Sequence, residues 1–154
     1  MDVCMCIKTP VGDLLAVDSQ GALTQLVFGC QPPPGCTMGQ TPLLEETQRQ
    51  LMEYFAGKRQ QFDLPLRPEG TPFRQQVWQA LLTIPYGQTR SYRDIAASVG
   101  APRAVRAVGG ANHHNPISII IPCHRVIGAD GSLRGYGGGT AIKTALLALE
   151  REHT

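Results

Sequence analysis

Apolar and polar positions alternate along the first thirty residues of the chain. Residues 3–8, 13–18 and 22–28 each read as a short strand. The turn-forming runs Thr9-Pro10-Val11-Gly12 and Asp18-Ser19-Gln20-Gly21 join them into an antiparallel meander. Residues 29–40, with three prolines and three glycines, read as a loop. Beyond them the apolar period lengthens to that of a helix. Thr41-Pro42 opens it, with Thr as cap and Pro in the first turn. Leu44, Leu51 and Phe55 fall on one face with Tyr54 beside them, and Gly57 ends the run. Residues 60–70 look extended, and Pro65, Pro68 and Gly70 mark a linker between domains.

The second half is mainly helical. Thr71-Pro72 repeats the opening of the first helix, and Phe73, Val77 and Leu81 make an apolar stripe flanked by Trp78 and Leu82. Ser91 caps the next helix, with Asp94 three residues on in a variant of the capping box. After Gly100, Pro102 begins another helix running to about Ala111, with Ala104, Val105 and Val108 inward. Two short helices joined by a Gly-containing turn fit a helix-turn-helix. Arg103 and Arg106 lie one turn apart on the second, beside Ala107, Gly109 and Gly110. Two glycines in a helix, each costing about 1 kcal/mol relative to alanine, need a reason. Close approach to something large and anionic is one; tight packing against another element is the other. The final helix spans Ala141 to about Glu152, with Ile142, Leu146 and Leu149 inward.

The run Ile119-Ile120-Ile121-Pro122-Cys123-His124-Arg125-Val126 adds chemistry to this frame. Its three β-branched residues read as a buried strand that Pro122 terminates. A thiol becomes a nucleophile as thiolate, and a neighbouring His or cation favours that state. His124 and Arg125 offer both.

Composition narrows the class. The 154 residues suit one or two compact domains, and no apolar run approaches the roughly 18–20 residues of a membrane span. Residues 1–69 carry 5 Lys/Arg and 8 Asp/Glu, a net −3, whereas residues 70–154 carry 9 and 4, a net +5, and eight of those nine are Arg. A basic half bearing a reactive thiol suggests an anionic partner such as nucleic acid. Met1-Asp2-Val3-Cys4 has no secretory character, and five cysteines without a signal imply reduced thiols in the cytoplasm.

Arg103-Ala104-Val105-Arg106-Ala107-Val108-Gly109-Gly110-Ala111-Asn112, Asn115-Pro116 and Pro122-Cys123-His124-Arg125-Val126 together resemble the O6-alkylguanine-DNA alkyltransferases, densely over residues 70–152 and loosely over residues 1–66. The resemblance implies a ribonuclease-H-like sheet and helix over 1–66. It implies a helical domain with a winged-helix-like helix-turn-helix over 67–154, an α/β protein overall. It makes Cys123 the alkyl acceptor, His124 the residue that deprotonates it through a bound water, and Glu150 the carboxylate that orients the histidine. It makes Asn115 a hinge, Tyr92 the residue that rotates a phosphate and contacts the extruded base, and Arg106 the finger that fills the gap. Tyr136 becomes the loop aromatic near the base, while Arg103, Ala107, Gly110 and Arg125 join the DNA contacts.

The implied activity is irreversible, single-turnover transfer of an alkyl group from guanine O6, with O4-alkylthymine a second lesion, to Cys123. The implied partner is double-stranded DNA bearing alkylated guanine, bound by a monomer without membrane or cofactor. Some family members hold a structural zinc in the N-terminal domain. Here no His precedes position 113, and Cys4-x-Cys6 with Cys30-x5-Cys36 fits no common zinc module, so no metal is expected. Arg134 and Ala145 stand where relatives often carry Thr and Trp, and Arg134 near the base pocket bears on tolerance for bulky alkyl groups. His113 and His114 read as polar surface. Three other readings remain to be separated: a lesion sensor, which lacks the acceptor Cys in proteins of this kind; a helix-turn-helix regulator with an inert Cys; and a Cys–His hydrolase with repeated turnover.

Overall fold

The computed structural model describes residues 2–133, 136 and 139–154. The chain forms two compact units, Met1–Glu69 with Pro116–Ser118, and Gly70–Asn115 with Ile119–Thr154.

The first unit begins with three antiparallel strands, β1 (Asp2–Thr9), β2 (Gly12–Ser19) and β3 (Ala22–Phe28), where the alternating pattern predicts them. A short strand, β4 (Cys36–Met38), then adds to β1 in parallel, giving the order β3-β2-β1-β4. The three prolines and three glycines around it hide this strand in the sequence. Beyond it, α1 (Pro42–Phe55) packs on β1 and β2. Thr41 caps the helix by accepting from the Leu44 N–H, and its own hydroxyl donates to Asp18 on the sheet at 2.8 Å. Leu44, Leu51 and Tyr54 are fully buried, and Phe55 is only half-buried, so Tyr54 is the inward aromatic.

The free edge of β3 does not face water unpaired. Leu23 exchanges backbone hydrogen bonds with Pro65 and Arg67, and Leu26 with Pro116 and Ser118. Covering an edge in this way removes a template for association.

One expectation fails here. Cys6 and Cys30 form a disulfide, with Cα atoms 5.6 Å apart, where reduced thiols were expected. Residues 29–30 fold back along β2, with the Gly29 N–H donating to the Asp13 carbonyl, and this brings Cys30 to Cys6. Spacing along the chain does not disclose that return. Cys4, Cys36 and Cys123 are free thiols.

The second unit contains α2 (Pro72–Leu81), the two-residue strand β5 (Arg90–Ser91), α3 (Tyr92–Ser98), α4 (Val105–His113), a 3-10 turn over Cys123–Arg125, β6 (Val126–Ile127) and α5 (Thr140–Glu152). Thr71 caps α2, and Ser91 with Asp94 completes the capping box of α3. Val77, Trp78 and Leu81 are buried, and the Trp78 indole donates to the Ala111 carbonyl at 2.9 Å, tying α2 to α4.

Three expectations change in this unit. Helix α4 starts at Val105, three residues later than Pro102 suggests, because residues 102–104 form a turn closed by the Ala104 N–H on Ala101. Val105 is therefore exposed, while Val108 stays buried. The isoleucine run is no strand: residues 118–120 are turn, and β6 is confined to Val126–Ile127, paired in parallel with β5. Ile119 has φ 72, a conformation a β-branched residue occupies only under constraint. Burial of all three isoleucines misled the periodicity, since a buried turn and a buried strand read alike. Finally, the buried face of α5 comprises Lys143, Leu146, Leu147 and Glu150, one position round from Ile142, Leu146 and Leu149. Its two ionisable members hide that face from a search for apolar residues. Arg134 and the loop glycines Gly135, Gly137 and Gly138 lie outside the described residues.

Candidate active site

Pro122 (φ −80, ψ 64) makes a tight turn in which the Cys123 N–H donates to the Ile121 carbonyl at 2.7 Å. Cys123 thus opens a 3-10 turn rather than ending a strand. Two side chains hold this turn. Asn112 donates to the Cys123 carbonyl at 3.2 Å, and Asn115 donates to the Ile121 carbonyl at 2.8 Å. Asn115 also hydrogen-bonds the thiol.

The thiol is almost fully buried, and burial pushes it up to about 11. Asn115 and the charge of Lys143 act in the opposite direction without overcoming it. A thiol in this state needs a base to become a nucleophile. Next to it, His124 is fully buried, with Nε2 2.7 Å from Glu150 Oε2. Nε2 is the protonated nitrogen in that contact, since a carboxylate only accepts. Nδ1 is buried and makes no hydrogen bond among the described residues. Desolvation holds the imidazole below its ordinary value, against the pull of Glu150, so it is neutral at pH 7. A neutral imidazole with a fixed tautomer and an open Nδ1 lone pair is a base ready to accept a proton.

Glu150 is in turn held on three sides. Arg125 Nε donates to Oε1 at 2.8 Å and Nη2 to Oε2 at 3.0 Å, while the Gly87 N–H reaches Oε1 at 3.2 Å. Burial alone would raise this carboxyl, but His124 and Arg125 outweigh it and keep it well below the usual range. Arg125 completes its bonding with the Ile84 carbonyl at 2.8 Å and lies 5.7 Å from the centre of the Tyr86 ring. Its place among the expected DNA contacts is thereby corrected. The guanidinium is buried and committed to Glu150, and it clamps the relay instead of reaching outward.

Lys143 is the residue that sequence reasoning missed. It is fully buried, donates to the Val126 carbonyl, and sits 5.9 Å from the centre of the Tyr92 ring. Desolvation lowers it to about 8, opposed by the charge of Cys123. The signal was available: Lys143 and Glu150 are seven residues apart on α5, on the stripe that carries Leu146 and Leu147.

Tyr92, Arg103, Arg106, Gly109, Gly128 and Ser132 line an open cavity of about 630 Å³, with Val105 at its rim. Arg103, Arg106 and Ala107 are exposed, and Gly110 is half-buried. A Cβ built on Gly109 or Gly110 meets nothing within 4 Å among the described residues. Tight packing is therefore not why these glycines are there, and α4 presents a smooth, cationic surface to solvent. Tyr136 is buried, and His113 and His114 are exposed.

Comparison with known proteins agrees with this geometry. Residues 72–152 match the family described as 6-O-methylguanine DNA methyltransferase, DNA binding domain, and residues 3–68 match its ribonuclease-like domain. The constitutive methylated-DNA–protein-cysteine methyltransferase of Bacillus subtilis (strain 168) is 49% identical over 152 residues, covering 94% of this chain and 92% of that protein. The crystal structure of the Mycobacterium tuberculosis O6-methylguanine methyltransferase superposes with a TM-score of 0.92 at 48% identity, covering 100% of this chain and 95% of that one. The Mycobacterium tuberculosis OGT in complex with DNA gives 0.92 at 49% identity over 99% of this chain and 94% of that one.

Proposed function

The chain belongs to the 6-O-methylguanine DNA methyltransferase family, and we propose that it repairs double-stranded DNA by moving the alkyl group of O6-alkylguanine, or of O4-alkylthymine, onto Cys123. The buried His124–Glu150 pair beside that thiol carries the reading. His124 takes the thiol proton through Nδ1 by way of a bound water. Glu150 fixes the tautomer and stabilises the imidazolium, and Arg125 fixes Glu150. The Cys123 sulfur attacks the alkyl carbon, the bond from carbon to O6 breaks, and its electron pair stays on the base. Tyr92, at the mouth of the cavity, supplies a hydroxyl proton toward that developing charge. Lys143, whose ammonium lies 5.9 Å from the centre of the Tyr92 ring, lowers the energy of the Cys123 thiolate by its charge.

The target atom is stacked inside a duplex, so the nucleotide must leave the stack, at a cost of a few kcal/mol. Arg106 fills the vacated space, and Arg103 with the small residues Ala107 and Gly110 lets α4 lie in the minor groove. Asn115 is the hinge before the active-site turn, and Tyr136 lies beside the extruded base. The first unit forms the sheet domain, and the second does the DNA binding and chemistry, in a cytoplasmic monomer. There the Cys6–Cys30 bridge is exposed to the thiol pool and follows its poise. The product is a thioether, so each molecule acts once and the chemistry needs no cofactor.

Excess duplex carrying O6-methylguanine tests this. Restored guanine should plateau at one per protein. Continued turnover would indicate hydrolase-type chemistry, and specific binding to unmodified sequence with no restoration would indicate a regulator.

A further inference from the structure

The alkyl-transfer chemistry leaves the sulfurs of Cys4, Cys36 and Met38 on the small sheet unused. In the parallel pair of β1 and β4, Cys4 lies opposite Met38, and its thiol donates to the Met38 thioether with 3.4 Å between sulfurs. Cys36 lies two residues before Met38, so both side chains leave β4 on the same face, and Cys36 packs against the buried cluster that contains Cys4. Two thiols and a thioether are therefore gathered on one face of the β1–β4 pair. Their surroundings are apolar: Leu15 and Val17 form a buried cluster with Cys4, and Val27 and Cys36 pack on it. Access is graded, from buried Cys4 through half-buried Cys36 to Met38, which is 51% exposed at the surface.

We propose that Cys4, Cys36 and Met38 form a three-coordinate site for a soft monovalent cation, Cu(I). Thiolate and thioether donors select Cu(I), whereas zinc sites take four ligands and rarely a thioether. Asp2 lies opposite Cys36 in the β1–β4 register and adds negative charge nearby. Cys6, Asp13 and Cys30 bring ligand atoms within 4.8 Å of one another, but the disulfide occupies both sulfurs, so that neighbouring group does not compete. On binding, two thiol protons leave, and two thiolates with one Cu(I) carry a net single negative charge. The bound ion ties β4 to β1 and stabilises the fold by mass action.

The test uses the full chain carrying Cys123→Ser, which removes the only free thiol outside the cluster. Cu(I) is added under argon with ascorbate, which leaves the Cys6–Cys30 bridge intact, against a chromophoric Cu(I) chelator. One equivalent should be withheld from the chelator, its X-ray absorption should show a sulfur-only shell, and thermal unfolding should shift upward. Cys36→Ser should abolish retention. Met38→Leu, a surface change that leaves the sheet folded, should weaken it while the unfolding temperature without copper stays put. No retention by the parent, unchanged retention in both variants, or recovery of a Cys4–Cys36 disulfide in place of bound metal would overturn the site.

Discussion

Arg125 and Glu150 form a buried bidentate ion pair, Nε to Oε1 at 2.8 Å and Nη2 to Oε2 at 3.0 Å. The pair joins the turn carrying Cys123 to the last helix, and it orders the carboxylate that His124 hydrogen-bonds. Removing one partner strands the other charge in the interior. Glu150→Gln should therefore lose about 3–5 kcal/mol of stability in urea denaturation at pH 7, as well as slow alkyl transfer. The pH dependence has a definite sign. Glu150 is held below its ordinary 4.5, so its contribution is full above that value and disappears as pH falls below it. His124, held below 6.5, also takes up a proton more readily in the unfolded chain, so stability starts to fall from about there. The parent should lose stability from about pH 6.5 downward, and Glu150→Gln should lose less than the parent below pH 4.5.

Lys143→Met keeps a long side chain but removes the charge beside Cys123. The thiol, already near 11, should rise further, and transfer at pH 7.5 should slow on the order of tenfold, the equivalent of about one pKa unit. Affinity for undamaged duplex should stay the same. A rate equal to the parent's at every pH would remove Lys143 from the chemistry.

Arg106→Ala should weaken binding to duplex bearing the lesion and slow transfer from it, because the space left by the extruded base goes unfilled. Transfer from the free O6-alkylguanine base, which needs no extrusion, should be unaffected. An equal loss on base and duplex would place Arg106 in the chemistry instead.

Thiol titration of the unfolded, unreduced chain should find three reactive cysteines of the five, because Cys6 and Cys30 are joined. Cys30→Ser should then cost about 2–4 kcal/mol. Five thiols in freshly prepared protein would mean that the bridge is absent in solution.

The sequence made the caps legible. Thr41-Pro42, Thr71-Pro72 and Ser91 with Asp94 begin helices because local side-chain bonds decide those starts. The three strands before Gly29 were legible from alternation. What failed depends on contacts distant in sequence. Nothing local distinguishes Ile119-Ile120-Ile121 in a buried turn from the same residues in a strand. Cys30 meets Cys6 only because the chain doubles back on β2. Arg125, next to the nucleophile, looks like a phosphate contact until α5 brings Glu150 to it. Lys143 disappears into an apolar face that it shares with Glu150. Cys123 beside His124 was legible because a thiol next to a histidine is a local pattern, and Glu150 was named only through the family resemblance, since it meets His124 from 26 residues away; the clamp and the buried ammonium around them are tertiary.

The most direct measurement is the mass of the Cys123 peptide after the protein is mixed with duplex DNA bearing O6-methylguanine. One added methyl on that peptide, equal in amount to the guanine restored and absent in Cys123→Ala, is the expected result. An unmodified Cys123 peptide beside repaired DNA, or repair that survives Cys123→Ala, would contradict alkyl transfer to this thiol.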